Sequence, residues 1–188
     1  MFLQSNVDSL IVLSLVELKD AEEIFALVDT SRNYLRDWLP WVDFNTTAED
    51  TKTFIRSAQQ QYVSKSGFHC CIRYKTEIAG IIGFHRLDWT NKTAELGYWL
   101  GKQYQGQGLM TKCCKFLTDY TFDNLKFNRV EIRAASSNVK SCAVPQRLGF
   151  IKEGILRDAE WISDRFVDNV VYSMLLQDWL KITISSSS

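Results

Sequence analysis

Apolar and polar positions follow two different periods along this 188-residue chain. Residues 10–16 (Leu-Ile-Val-Leu-Ser-Leu-Val) are apolar and β-prone and predict a strand. Ile24, Phe25, Leu27 and Val28 then recur at helical spacing within Ala21–Thr30. Asp20, with Glu23 three residues on, gives that helix a capping-box-like start. Trp38-Leu39-Pro40-Trp41 breaks the pattern, and a second helix over 48–63 carries Phe54, Ile55, Ala58 and Tyr62 on one side. Strands over 68–74 and 78–87 flank the turn Lys75-Thr76-Glu77, and 93–100 reads as another strand. A helix over 108–122 places Leu109, Cys113, Leu117 and Tyr120 on one face. A short strand at 129–134, a short helix at 139–148 and two long strands at 150–160 and 165–176 complete the pattern. This order predicts an α/β (α+β) fold, a mixed sheet with helices on both faces. No linker divides it, so residues 1–184 form one domain and the serines of 185–188 a disordered tail.

Composition narrows the function classes. Twenty-two basic and 22 acidic residues leave no net charge, so no generic nucleic-acid footprint is expected, although local basic patches fit. The five cysteines include two adjacent pairs, Cys70-Cys71 and Cys113-Cys114, without the spacing of a zinc site. They read as reduced structural thiols, and no metal is expected. Cys142 stands near the motifs below and is a weaker candidate nucleophile. The absence of a leader-like start or a long apolar run points to a cytoplasmic protein with no membrane partner.

The sharpest local feature is Gln103-Tyr104-Gln105-Gly106-Gln107-Gly108, which joins a strand to an amphipathic helix. Glycines there let backbone N–H groups approach a ligand closely, and a helix N-terminus attracts anions. A Walker loop would need Gly-Lys-Ser/Thr, but Leu109 follows Gly108. A dinucleotide fingerprint would need glycine at 111, which is Thr111. A second block runs from Asn138 through Ser141 to Leu148-Gly149-Phe150 and Gly154, an Asn-opened helix turning into a strand.

Together the two blocks resemble the GCN5-related N-acetyltransferase (GNAT) superfamily. Trp38-Leu39-Pro40-Trp41, Glu95-Leu96-Gly97-Tyr98-Trp99-Leu100, Gly154-Ile155-Leu156-Arg157-Asp158 and Asp168…Tyr172-Ser173-Met174…Asp178-Trp179 look like its branch of ribosomal-protein alanine and serine N-acetyltransferases. The resemblance covers about residues 10–180. It implies the acyl-CoA N-acyltransferase fold, with a six- or seven-stranded sheet splayed between strands 93–100 and 129–134. Acetyl-CoA, the implied co-substrate, would lie in that gap. Tyr98, Trp99 and Leu100 would pair with its pantetheine; Gln103, Gln105, Gly106, Gln107, Gly108 and Leu109 would hold its diphosphate; Asn138 and Ser141 would face the pantetheine and sulfur. The implied acceptor is the α-amine of a ribosomal protein, and a homodimer fits the resemblance.

Acetyl transfer requires a neutral amine, a polarised carbonyl and a proton for the leaving thiolate. Glu160, at the end of a strand before Trp161, and Glu95, beside the expected cofactor, are the candidate bases. Many superfamily members place a tyrosine seven residues after the motif Asn; here that position is Pro145, which also predicts a short or kinked helix. Ser141, one turn from Asn138, is the replacement acid. His85 is a candidate proton shuttle, with a surface or satisfied core histidine as the alternative for both His69 and His85. Trp38, Trp41, Trp89 and Trp161 could line an acceptor groove or simply pack. Two other functions stay open: acetylation of a small amine (a polyamine, amino acid or aminoglycoside), and a CoA-binding sensor without turnover.

Overall fold

A computed structural model describes residues 4–185. Its backbone forms one eight-stranded sheet in the order β1-β2-β3-β4-β5-β6-β8-β7. The strands are β1 Gln4–Asn6, β2 Ile11–Leu15, β3 Phe68–Tyr74, β4 Glu77–Asp88, β5 Thr93–Leu100, β6 Arg129–Ala135, β7 Ile151–Ile162 and β8 Arg165–Leu175. The helices are α1 Ala21–Leu35, α2 Ala48–Val63, α3 Leu109–Asp123, α4 Val139–Arg147 and α5 Leu176–Ser185. All neighbouring strands are antiparallel except β5 and β6, so the sheet is mixed.

Two apolar clusters cover the two faces. Val16, Ile24, Val28, Leu35 and Ile55 of the α1–α2 side pack on Cys71, Ile78 and Ile81 of the sheet. On the other face Leu109, Cys113 and Leu117 of α3, Val144 of α4 and Trp179 of α5 pack on Ile72, Ile82, Leu96 and Ile132. Alternate residues of one strand thus serve opposite cores, as the period-2 pleat requires.

Three sequence expectations need correction. The sheet has eight strands rather than six or seven, because the three-residue β1 pairs with β2. Residues after Leu175 turn helical as α5, whose Trp179 indole donates to Asp119 on α3 at 2.8 Å. Ser185 belongs to this helix, and the rest of the expected tail lies outside the described residues. Asp20 does not cap α1 with its side chain. Its carboxylate, 3% exposed, instead accepts from the Glu17 N–H at 2.9 Å and from Arg73 at 2.7 Å. A buried charge needs such a partner, and the long-range ion pair outcompetes the local cap. Glu23 is likewise drawn away, accepting from the Ile78 N–H. The expected turn is present: Lys75 and Thr76 both have positive φ, 52° and 88°, joining β3 directly to β4.

Candidate active site

The sheet opens where its one parallel pair stops. β5 and β6 pair only from Thr93↔Arg129 to Leu96↔Ile132. Beyond that point β5 stays paired with β4 as far as Leu100, and β6 with β8 as far as Ala135. The edge Gly97–Leu100 therefore faces a gap, and a cavity of about 1310 Å³ fills it. Unsatisfied strand edges of this kind take up an extended ligand as an added strand. Tyr98, Trp99 and Leu100, the residues expected to meet the pantetheine, line the cavity.

The glycine loop stands at one end of this cavity. Gly106 and Gly108 have φ of +74° and +75°, in the left-handed region that glycine alone enters freely. Gly108 is the N-cap of α3, whose first-turn N–H groups have no intrahelical acceptor. Both glycines are exposed, and a Cβ on either would meet nothing within 4 Å. Leu109, buried, anchors the helix behind them. Gln105, Gly106, Gly108 and Leu109 all line the cavity. Gln103 and Gln107 lie off its wall; the Gln107 amide donates to the Gln103 carbonyl at 3.1 Å and so braces the loop. Lys102, Lys140 and Arg147 bring positive charge to the cavity wall, and Lys140 donates to the Gln105 side chain at 3.0 Å.

The second motif builds the far wall. Asn138 caps α4, its Oδ1 accepting the Ser141 N–H at 3.0 Å, so that oxygen is committed to the helix. Pro145 sits inside this helix and has no N–H for the carbonyl of Ser141, four residues earlier. The Tyr98 hydroxyl donates to that carbonyl instead, at 3.0 Å. Both backbone polar groups of Ser141 are thereby held, one from α4 and one from β5. The helix spans only nine residues, in line with the expectation that Pro145 keeps it short.

A second cavity of about 530 Å³ lies between the sheet and the α1–α2 side. Trp41, Phe54 and Trp99 contribute aromatic walls, with the Trp41 and Trp99 rings 5.9 Å apart. No lysine or arginine lines it. The two cavities share Leu39, His85, Gly97, Tyr98, Trp99 and Glu160, which form a neck between them. Glu95 lines the first cavity alone. Of the four tryptophans considered, Trp38 lines the first cavity and Trp41 the second. Trp89 instead packs on Phe127 at 4.9 Å and donates to the Lys65 carbonyl, while Trp161 packs on Phe166 at 4.7 Å.

Glu160 reaches the neck through an irregularity in β7. The ladder shifts between Leu156↔Asn169 and Glu160↔Val167, so Arg157–Ala159 oppose Asp168 alone. Asp158 takes a positive φ of 48° there, and its N–H donates to the Asp168 carboxylate at 2.9 Å. Such bulges re-aim side chains. The Asn169 amide then donates to the Glu160 carboxylate at 3.2 Å.

The two histidines differ from each other. His69 is buried against Gln61, Nε2 and Oε1 being 3.1 Å apart, and burial together with the nearby His85 pushes its pKa down to about 4. His85 opens to solvent through the cleft yet is surrounded by protein; desolvation lowers its pKa below the ordinary 6.5, opposed by Glu95 and Glu160. All five cysteines are free and buried. Burial drives Cys70, Cys71 and Cys114 well up and Cys113 to about 12, so these thiols stay protonated. Cys142 is on the buried face of α4, its thiol pointing at the Ala135 carbonyl 3.6 Å away, not into the cleft. Among the described residues no group of three or more His, Cys, Asp or Glu could hold a metal ion. No described helix is long and apolar enough to cross a membrane.

A sheet split beside a glycine-opened helix defines an acyl-CoA N-acyltransferase fold, and comparison with known proteins agrees. The sequence pattern of the Acetyltransferase (GNAT) domain family matches residues 11–151, and the chain belongs to that family; it is an N-acetyltransferase. It is similar to the "Putative ribosomal N-acetyltransferase YdaF" of Bacillus subtilis (strain 168), 38% identical over 93% of this chain and 96% of the relative. It is also similar to the ribosomal-protein-serine acetyltransferase of Escherichia coli (strain K12), 29% identical over 81% of this chain and 86% of the relative. Among solved structures, the microcin C7 self immunity acetyltransferase MccE in complex with acetyl-CoA and AMP superposes with a TM-score of 0.86. That match has 32% identity and covers 90% of this chain and 94% of that one.

Proposed function

We propose that this enzyme moves the acetyl group of acetyl-CoA to the N-terminal α-amine of a protein, a ribosomal protein being the favoured acceptor. The observation that carries this reading is the pair of cavities meeting at one neck. The first has a free strand edge, a glycine-capped helix and basic side chains, which suit a pantetheine and a diphosphate. The second is aromatic and lacks basic side chains, which suits a cationic amine rather than a phosphate ester. The names of the bacterial relatives point the same way.

Direct attack within a ternary complex needs no covalent enzyme intermediate, since holding both reactants in line supplies several kcal/mol. The α-amine is the easier nucleophile. Its pKa is about 7.7–8.0 against about 10.4 for lysine, a difference worth roughly 3.5 kcal/mol at pH 7. A weak base in the neck therefore suffices. Glu160 is better placed than Glu95 for that end, because it reaches the acceptor cavity as well. Ser141, fixed by Asn138 and Tyr98, is the proton donor to the departing thiolate.

The test is thiol release from acetyl-CoA by the purified protein with peptides carrying free N-termini, with lysine-only peptides whose N-terminus is blocked, and with polyamines and aminoglycosides. Mass spectrometry of ribosomal proteins from cells lacking the gene accompanies it. Turnover on free N-termini and a ribosomal protein that loses its acetyl group are expected. Turnover on small amines alone, with every ribosomal N-terminus unchanged, refutes the proposal.

A further inference from the structure

The neck holds a histidine that the chemistry above does not use. The β4–β5 ladder shifts between Phe84↔Leu96 and Arg86↔Glu95, leaving His85 as the unpaired residue of a bulge. Its ring lies against Gly97, the partner of Gly83 in the ladder, where a Cβ would be 1.8 Å from His85 Nε2 and 2.3 Å from Cδ2. No other residue fits there without expelling the ring, so the glycine and the bulge together seat the imidazole over β5. That seat is where the free strand edge begins, and His85 lines both cavities.

The charges around it are arranged on several elements. His69 of β3 is 5.4 Å away, ring to ring, and is itself neutral. Glu95 of β5 and Glu160 of β7 both act on His85 in the sense that favours a proton. Arg133 of β6 acts on Glu95, so part of that carboxylate's field is already answered. Asp50 of α2, on the acceptor-cavity wall, is occupied by the Thr46 and Thr47 N–H groups. Tyr98, the remaining titratable group of the neck, spends its hydroxyl proton on Ser141. Glu160 is thus the carboxylate left to answer a cation at His85, and Asn169 fixes its orientation.

Resting on the N-acetyltransfer reading above but moving the base role from Glu160 to its neighbour, we propose that His85 accepts the proton of the incoming ammonium and that Glu160 stabilises the resulting imidazolium. The ammonium N–H breaks, its proton goes to an imidazole lone pair, and the nitrogen keeps the electron pair. That pair forms the C–N bond at the thioester carbonyl. The C–S bond then breaks with its electrons on sulfur. The nitrogen sheds a second proton as the amide forms. One of the two protons ends on the thiol and the other passes from His85 to water in the open cleft. A neutral imidazole is required, and desolvation keeps it so near neutral pH.

The experiment measures kcat against pH for thiol release by wild-type, His85→Gln and Glu160→Gln enzyme with acetyl-CoA and an accepted amine. Affinity for acetyl-CoA and Tm are measured alongside. In the wild type, kcat should rise through an apparent pKa below 6.5. His85→Gln should lower kcat about 100-fold or more, in the range of a lost general base, and erase that limb while acetyl-CoA affinity holds. Glu160→Gln should keep the limb but move it to lower pH, because a charge that raises the His85 pKa is gone. A His85→Gln enzyme with the wild-type limb and rate overturns the proposal while leaving acetyl transfer intact. Loss of the limb in Glu160→Gln alone overturns it too, and makes Glu160 the base. A wild-type enzyme that releases thiol with no amine overturns both readings. If His85→Gln does not fold, ring-proton NMR titration of the two histidines in wild type and Glu160→Gln decides: the His85 pKa must fall, and an unchanged value refutes the pairing.

Discussion

Replacing Gly108 by glutamate separates the fold from ligand binding more sharply than any other single change. In the free protein a Cβ at this position meets nothing within 4 Å, so the cost is confined to the backbone, whose φ is +75°. A left-handed residue with a side chain costs roughly 1–2 kcal/mol. A carboxylate near the N-terminus of α3 returns about 0.3–1 kcal/mol through the helix dipole. The net loss of about 1 kcal/mol lowers Tm by roughly 2–4 °C in a chain of this size. With a diphosphate in place the sign reverses. One carboxylate about 5 Å from two phosphate charges, at an effective dielectric of about 40 for this exposed loop, costs about 3 kcal/mol. Acetyl-CoA affinity should therefore fall about 100-fold or more. Isothermal titration calorimetry gives the affinity and a thermal melt the stability. Gly108→Ala, which adds only the Cβ, should share the stability loss and show an intermediate affinity. A Gly108→Glu enzyme that melts slightly lower yet binds acetyl-CoA normally would refute the diphosphate assignment of the loop.

Three further substitutions test hydrogen bonds of the structure, two around Ser141 and one between Glu153 and its partners Arg129 and Ser173. Ser141→Ala should reduce kcat with little change in acetyl-CoA affinity, and Tyr98→Phe should reduce it as well by orphaning the Ser141 carbonyl that Pro145 leaves free; single-turnover thiol release measures both, and unchanged rates exclude Ser141 as the acid. Glu153 is held down to about pKa 2, first by hydrogen bonds from Arg129 and then by Ser173, so its stabilising contribution is complete above about pH 4.5 and fades as pH falls towards 2. Glu153→Gln should flatten that part of the stability-versus-pH curve by about 1 kcal/mol, discounted because the side chain is 42% exposed; urea melts between pH 2.5 and 6 test it, and an unaltered slope excludes the pair.

The parts of this fold that sequence reveals are those with local causes. The glycine loop and the Asn138-opened helix appear where the motifs put them, because a positive φ and a cap each require particular residue types within a few positions; the gap beside β5 is expected only through the family resemblance. The features that escape have distant causes. Asp20 abandons its expected cap for Arg73, which lies 53 positions away in the chain. Helix α1 runs past Thr30 to Leu35 because Ser31 is buried and accepts the Lys102 N–H, a contact 71 positions long. The strand expected to run to 176 ends at Leu175, and Leu176 opens α5, which Trp179 anchors to α3. His85 is legible by residue type as a candidate proton shuttle, but the bulge that seats it is not, because its surroundings in sequence read as an ordinary strand. The one local hint is Gly97 in the middle of a strand, where glycine marks a close approach. What approaches becomes visible only once the register shift is known.

The split sheet also divides the working parts between two stretches of chain. His85, Gly97, Tyr98 and the glycine loop come before β6 in sequence; Ser141, Glu160 and Asn169 come after it. Neither stretch alone encloses a place for two reactants. Nicking the connection or producing either stretch by itself should yield fragments without turnover, and activity should return only when the complementary pieces reassociate across those few shared ladder residues.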